Sequence, residues 1–523
     1  LAAAAGIGIR LLGGPPGTDW TIDNGGKALV VHELVQHGGD SSIRYPAERI
    51  DPEYRFFPQP LQGKEPYGVL RNGQVHSQYD SPFVRIAAPA FALGGGTALA
   101  FLPALGGGAA VFLTGLQATL AGVILLLAAP LLFYSSVFWE HTWVMAIVTG
   151  SLLLLKNAGR RRAFFAGLAM GAAILLREEI ILFFFATLAA MAMVRRGVRE
   201  AAIFAGGGAL GVGALAWFHF TTSGNLTGTH VAANRPVFLV HLLDAVRGLL
   251  FSPGFSGVPL AIPIAAVILL VAARAIPFPR REILEIASLA VLAATSALAF
   301  ARYPAGEDQA LALISSNSVL VAIPWLFPAF ASRPANGERL AWVSAWIFVL
   351  VFLAFVPERS ISGIHPGPRM LLPIVPIAAI AAARGAQRDA RTPGAAARAR
   401  LILLSMLLII GASWSARSIA LLVEKRETMG RIAAELERDP RRVVVTDLFW
   451  LPTELPALWS EKQFHLVANP AALHELQERY AQAGVDELLF ITTAGAVRNR
   501  APLRTVTSTS FPQFSVELHA IHP

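Results

Sequence analysis

The sequence contains no cysteine, which excludes disulfides, thiolate metal sites and cysteine nucleophiles. Charge is also scarce. Lys, Arg, Asp and Glu make up 15% of 523 residues, against about 25% in an ordinary soluble protein. With 54% hydrophobic residues and a mean hydropathy of +0.55, too little polar surface remains for a soluble globular enzyme of this size. P-loop and Gly-x-Ser-x-Gly patterns, and a dinucleotide fingerprint in its strand-to-helix setting, are missing. So are a His-x-x-x-His pair and a carboxylate cluster that would mark a metal site. No internal repeat is visible, which counts against an inverted-repeat transporter.

What is present is apolar sequence in long runs. A spanning helix takes about 20 apolar residues, and segments of suitable character lie near 82–103, 108–129, 133–155, 163–176, 180–194, 201–219, 257–273, 283–300, 319–331, 340–357, 371–383 and 401–422. The dozen apolar residues before Gly13-Gly14-Pro15-Pro16 read as the tail of one more. The fold class is therefore an α-helical polytopic membrane protein with about 13 transmembrane helices.

The net charge of +9 in a soluble chain would hint at nucleic acid. Here the cations sit in short loops between apolar runs, the positive-inside pattern, and no nucleic-acid partner is expected. One alternate set of loops, around 156–162, 195–199, 274–281, 333–339 and 384–400, holds 17 Lys and Arg residues, and the opposite short loops hold about six. The basic set is cytoplasmic in this reading. The first long polar loop, 17–81, and the tail then share the non-cytoplasmic side of a cytoplasmic (inner) membrane.

The tail changes character near 432. "RRVVVTDLFW" and "QFHLVA" read as strands, "AALHELQERYAQAG" as an amphipathic helix, and "DELLFITT" and "FSVELHAIH" as strands. The expected organisation is a transmembrane body over 1–431 and a small soluble α/β domain over 432–523, outside the cytoplasm.

Three constellations carry chemistry. In the first loop, "TDWTIDNGGKALVVHELVQHG" places Asp23 near the start of a short helix whose apolar positions are Ala28, Leu29, Val31, Leu34 and Val35. The helix dipole favours a carboxylate there. In "FYSSVFWEHT", Glu140 and His141 occupy a short outer turn flanked by Tyr134, Trp139 and Trp143, residue types that suit a membrane interface. In "LLREEII", two 14-residue apolar arms, 163–176 and 180–193, each reach only about 21 Å across a core of about 30 Å. Arg177, Glu178 and Glu179 at the tip are then recessed, and charges at membrane depth are functional sites by default. A fourth segment, "ISGIHPGPRM", sets His365 and Arg369 just before a late helix, and "TSGNLTGTHVAANRP" adds Asn225, His230 and Asn234 in another outer loop.

The order of these features resembles GT-C-type membrane glycosyltransferases, the polyprenyl-phosphate-sugar-dependent enzymes that include the protein O-mannosyltransferase-like and aminoarabinose-transferase-like families. "DNGGKALVVHELVQHG", "QYDSPFVRIAAPAFALGG", "APLLFYSSVFWEHT", "AGLAMGAAILLREE" and "HPGPRMLLPIVP" resemble the successive motifs of that group over roughly residues 17–380. Asp80-Ser81 stands where its first prolines would be.

The resemblance implies an inverting transfer of a sugar from a polyprenyl phosphate to an acceptor hydroxyl on a glycan, lipid or protein, at the outer membrane face. It implies Asp23 as catalytic base. It also implies substrate contacts from Glu140, His141, Arg177, Glu178, His365 and Arg369. Some relatives use a divalent metal, and the sequence decides neither for nor against one. The competing classes are a lipid or sugar transporter or flippase, which predicts charges in mid-helix and matched broken helices, and a non-catalytic scaffold with a degenerate body of the same type.

Overall fold

In chain order the elements of the computed structural model are helices α1 (Ala2–Leu12) and α2 (Ile22–Gln36), strands β1 (Ser42–Ile43), β2 (Gly68–Arg71) and β3 (Gln74–Ser77), then helices α3 (Pro82–Gly115), α4 (Thr119–Leu127), α5 (Leu131–Ser136), α6 (His141–Leu155), α7 (Arg160–Leu176), α8 (Ile180–Met193) and α9 (Val198–Ser223). They continue with α10 (Ala261–Ala275), α11 (Arg281–Arg302), α12 (Val319–Ala322), α13 (Leu326–Ala331), α14 (Arg339–Phe355), α15 (Val375–Arg391) and α16 (Ala395–Arg438). The tail supplies β4 (Val443–Thr446), α17 (Leu451–Glu454), β5 (Gln463–Leu466), α18 (Pro470–Gln482), β6 (Leu488–Thr493), β7 (Thr505–Phe511) and β8 (Val516–Ile521). The structure describes residues 2–12, 19–61, 67–157, 159–228, 246, 261–275, 281–302, 318–332, 334, 336–355, 365–493, 505–511 and 516–521. His230 and Asn234 lie outside them.

Among the described residues five helices are long and apolar enough to cross a membrane: Pro82–Gly115, Val198–Ser223, Arg281–Ala301, Arg369–Arg391 and Ala395–Arg438. Four shorter apolar helices accompany them, at His141–Leu155, Ile180–Met193, Ala261–Arg274 and Arg339–Phe355. Phe112, Trp217, Leu350, Ile402 and Ile409 on these helices are each more than half exposed, an apolar surface that lipid covers and water would penalise. The chain is a multi-pass helical membrane protein.

It divides into two compact units, residues 1–7 with 103–420 and residues 8–102 with 421–523. In the first unit α7 and α9 cross closely because glycines meet glycines. A Cβ on Gly171 would lie 3.1 Å from Gly211 Cα, one on Gly211 2.3 Å from Gly171 Cα, and one on Gly167 2.2 Å from the Phe204 carbonyl oxygen. This is the small-xxx-small packing of membrane helices, which lets backbones touch.

The sequence reading breaks the chain at 104–107. Instead α3 runs on to Gly115, with its departure from helical geometry at Gly95 (φ 58°). Gly106 and Gly107 serve as contact surface rather than as a turn, since a Cβ on either would strike Thr142 or Ser135. Thr142 Oγ1 donates to the Pro103 carbonyl at 2.7 Å.

The second unit is built on a five-stranded sheet of order β5-β4-β6-β8-β7. β4 pairs parallel with both β5 and β6, with Val444 opposite Phe464 and Leu489. β8 lies antiparallel to β6 and β7. All four β4 residues are buried, as expected for a parallel strand covered on both faces.

Alternation sorts the two faces. Val444, Leu489 and Ile491 pack on Met429, Ile432 and Leu436 from α16. Val443, Val445, Leu488 and Phe490 pack on Leu473, Leu476 and Tyr480 from α18, and on Phe56 from the first loop. The first loop thus completes the core of the tail's sheet. Leu466 N–H donates to the Phe56 carbonyl (3.0 Å) and Trp459 Nε1 to the Arg44 carbonyl (3.1 Å). β1, β3 and β2 form a small antiparallel sheet in the same unit.

Candidate active site

Asp23 stands in the first turn of α2, and the N-cap of that helix is Thr21. Asn24 Oδ1 accepts from Thr21 N–H at 2.7 Å, while Asn24 Nδ2 donates to Asp19 at 2.5 Å. The capping work therefore falls to residues other than Asp23. The sequence reading gave α2 one apolar face. In the structure Asn24 through Val31 are all buried, along with Glu33 and Leu34, because both glycines of "DNGG" admit neighbours. A Cβ on Gly25 would lie 2.1 Å from the Thr453 carbonyl oxygen, and one on Gly26 2.3 Å from the ring of Tyr79.

The seat at Gly26 brings the Tyr79 hydroxyl to Asp23 Oδ1, to which it donates at 2.9 Å. Burial, and after it the Asp23 charge, hold the Tyr79 phenol well above its ordinary value, so it remains a proton donor. Tyr67 stacks on Tyr79 (6.3 Å between centroids) and Phe449 on Tyr67 (6.1 Å). Phe449 is 43% exposed. The half-buried Asp23 carboxylate thus adjoins an aromatic stack with an open end.

Behind it, Lys425 of α16 donates to the Trp20 carbonyl at 2.5 Å and to Glu454 at 2.8 Å. Its ammonium lies over the rings of Trp20 (5.1 Å) and Trp450 (5.4 Å). This buried lysine anchors the residues just before Asp23.

The second group of predicted residues lies in the first unit. Arg177 ends α7 in extended backbone (φ −148°), so its side chain leaves the helix axis. Its guanidinium pairs with Glu140 (3.2 Å) and with Glu179, to which Nε donates at 2.5 Å. It also reaches His141, 2.5 Å from Nη1 to Nε2, and the sulfur of Met370 at 3.5 Å. Arginine only donates, so the imidazole nitrogen that faces it accepts.

The side chains of Arg177 and Glu140 are 13% and 5% exposed. The sequence reading offered Tyr134 and Trp139 as interface anchors. They are instead fully buried and pack around His141, at 5.0 and 5.2 Å. Met370, whose sulfur Arg177 touches, is the neighbour of Arg369.

Not every predicted residue points the same way. Glu178 turns from Arg177 to His219 of α9, at 2.9 Å. His365 is buried, and its Nδ1 bonds the Gly367 carbonyl (3.0 Å), closing a turn whose Gly367 has φ +74°. The Pro366 carbonyl of that turn accepts from the Tyr134 hydroxyl at 3.2 Å. His365 therefore shapes the entry to Arg369.

Sequence reasoning missed His219 and Tyr79. A histidine at the end of an apolar span opposite the basic loops was the available signal for the first. Among the described residues no group of three His, Asp or Glu side chains is arranged to hold a metal ion.

No family model matches the chain, and no curated protein does. Among solved structures it is similar to two crystal structures of ArnT from Cupriavidus metallidurans. One is bound to undecaprenyl phosphate (TM-score 0.47) and the other is in the apo state (TM-score 0.48). Identity is 12% in each, over 99% of this chain and 96% of that one.

Proposed function

We propose that the chain is an integral membrane glycosyltransferase that moves a sugar from a polyprenyl-phosphate donor to an acceptor hydroxyl, with inversion at the anomeric carbon. The observation that carries this reading is that Arg177, at the end of one apolar helix, touches Met370, the neighbour of Arg369 at the start of another. Guanidinium groups in so apolar a setting are costly unless they have work to do, and a departing phosphate is a planar-fork ligand for arginine. Glu140, Glu179 and His141 fix Arg177, and Arg369 adds the second cation. Glu178 with His219, and His365 with its turn, position these groups.

In the reaction Asp23 takes the acceptor proton as the acceptor oxygen bonds to the anomeric carbon. The bond from that carbon to the phosphate oxygen breaks, and its electron pair leaves on the polyprenyl phosphate, where the arginines stabilise it. The Tyr67–Tyr79–Phe449 stack offers the acceptor an apolar face beside Asp23. The basic loops face the cytoplasm, and the first loop and tail face outside. Their shared core, with Phe56 inside the tail's sheet, supports one side for both.

The test is release of polyprenyl phosphate from labelled polyprenyl-phosphate sugars by the purified chain, repeated with EDTA and with Mg²⁺ or Mn²⁺ restored to test metal dependence. Asp23→Asn should slow release by about 10²–10⁴-fold with the protein still folded and inserted. A folded wild-type chain that releases nothing from any donor would favour the scaffold reading.

A further inference from the structure

A cavity of about 250 Å³ lies in the first unit among α6, α14 and α15, and the transfer reaction has no use for it. α6 begins at His141, beside the arginine cluster, and the cavity lies toward its other end. The lining positions on α6, Thr149 to Lys156, lie about 12 to 22 Å along the axis from His141. α15 has the same sense, starting just after Arg369 and lining the cavity from Ile377 to Arg388. The cavity therefore opens at the end of the bundle that carries the basic loops.

Its walls are graded. On α15 the lining positions Ile377, Ile380 and Ala381 are followed by Arg384 and Arg388, one helical face that turns from apolar to cationic. On α6 the lining runs from Thr149, whose hydroxyl donates to the Met145 carbonyl, through Leu152 and Leu153 to Lys156 in the same direction. Arg384 is paired with Glu338. Among the described residues Lys156 Nζ gives one hydrogen bond, to Gln117 at 2.9 Å, and an ammonium has three to give. Arg388 is exposed at the rim. With Glu338 set against Arg384, Lys156 and Arg388 leave the mouth positive. Trp342 of α14 also lines the cavity.

We propose that this cavity holds an acyl chain of an anionic glycerophospholipid, with the lipid phosphate against Lys156 and Arg388. The order of chemistry along the wall matches the order along such a lipid, hydrocarbon and then phosphate. A free anion would leave the Leu and Ile floor unmatched, and a zwitterionic lipid would bring a cation to a positive mouth. The site is independent of the transfer reaction proposed above.

Native mass spectrometry of the full chain in detergent, titrated with phosphatidylglycerol, phosphatidylcholine or inorganic phosphate, tests this directly. Phosphatidylglycerol should bind in preference to phosphatidylcholine. The double variant Lys156→Gln/Arg388→Gln should bind it about 30-fold more weakly, the loss expected for two basic groups at an anionic lipid surface. Phosphatidylglycerol brominated on its acyl chain should quench part of the tryptophan fluorescence, and Trp342→Phe should remove that part. Ala381→Phe, which fills the floor, should abolish both signals. Equal binding of the two lipids, unchanged phosphatidylglycerol binding in the charge variant, quenching that survives Trp342→Phe, or full competition by inorganic phosphate would each overturn the lipid site.

Discussion

Arg177→Ala should destabilise the protein more than the removal of Arg177 and the Glu140 charge together. At 3.2 Å and an effective dielectric of about 20, the attraction between Arg177 and Glu140 is about 5 kcal/mol. Desolvation of two such enclosed groups offsets much of it, so the intact pair contributes little net stability. Breaking it is another matter. Glu140 is 5% exposed, and the loss of Arg177 takes a cation 3.2 Å away from its buried carboxylate, at a cost of up to about 3–5 kcal/mol. In the Arg177→Ala background, Glu140→Gln should therefore recover most of the loss.

Arg177→Lys should fall between, because one ammonium cannot serve Glu140, Glu179 and His141 with the geometry of a planar fork. The assay is the apparent melting midpoint in detergent, read by the fraction of monodisperse protein after heating, for wild type, both single variants and the double. A stability for Arg177→Ala equal to wild type, or two losses that simply add, would refute the buried-pair reasoning. The same four proteins assayed for donor cleavage separate support from chemistry, since a purely structural arginine would regain activity as well as stability in the double variant.

Three further outcomes follow from the packing. Gly211→Leu should push α7 from α9, where Gly211 meets the Gly171 backbone, and lower the melting midpoint by more than Gly213→Leu, whose Cβ would meet open space; equal effects would argue against close packing there. Burial holds His465 at about 3, below its unfolded value of about 6.5, so the unfolded chain takes up the proton first and stability is lost as pH falls from about 6.5 toward 3. The stability gap between wild type and His465→Gln should then narrow between pH 7.5 and 4.5, and a constant gap would remove His465 as the cause. Single cysteines at the exposed Glu48 and His474 should both react with an impermeant thiol reagent in intact cells; labelling of only one would break the common-side topology. Ser42, by contrast, is buried and bonded to Asp40, and would be a poor reporter.

Much of the helical framework was legible because apolar length is a local property. The segments read at 201–219 and 340–357 correspond to α9 (Val198–Ser223) and α14 (Arg339–Phe355). The two 14-residue arms around Arg177 reappear as the last 14 residues of α7 and the whole of α8. Tail elements β4, β5, α18 and β6 were legible for the same reason, their alternation or periodicity being written in a few consecutive residues. The Gly106–Gly108 run misled because glycine has two physical uses. It permits a turn, and it permits close approach. The residues that decide between them, Ser135 and Thr142, lie about thirty positions further on.

The candidate site was legible only as far as its charges. An arginine and two glutamates in apolar sequence announce themselves, because nothing in the surroundings can solvate them. Their pairing does not, because it depends on which helix arrives. Glu178 and Glu179 are neighbours in sequence, yet one meets His219 and the other Arg177, since the chain turns between α7 and α8. Tyr79 reaches Asp23 across 56 positions only because Gly26 has no side chain to keep its ring away. That last dependence reassigns the glycines of "DNGG". By local propensity they weaken the start of α2. In the folded chain they admit the Thr453 carbonyl on one side and the Tyr79 ring on the other, and so set the surroundings of the carboxylate between them and the N-cap. A Gly26→Ala chain would gain helix propensity and lose the tyrosine's seat. The motif is better understood as a socket for Asp23 than as a flexible loop.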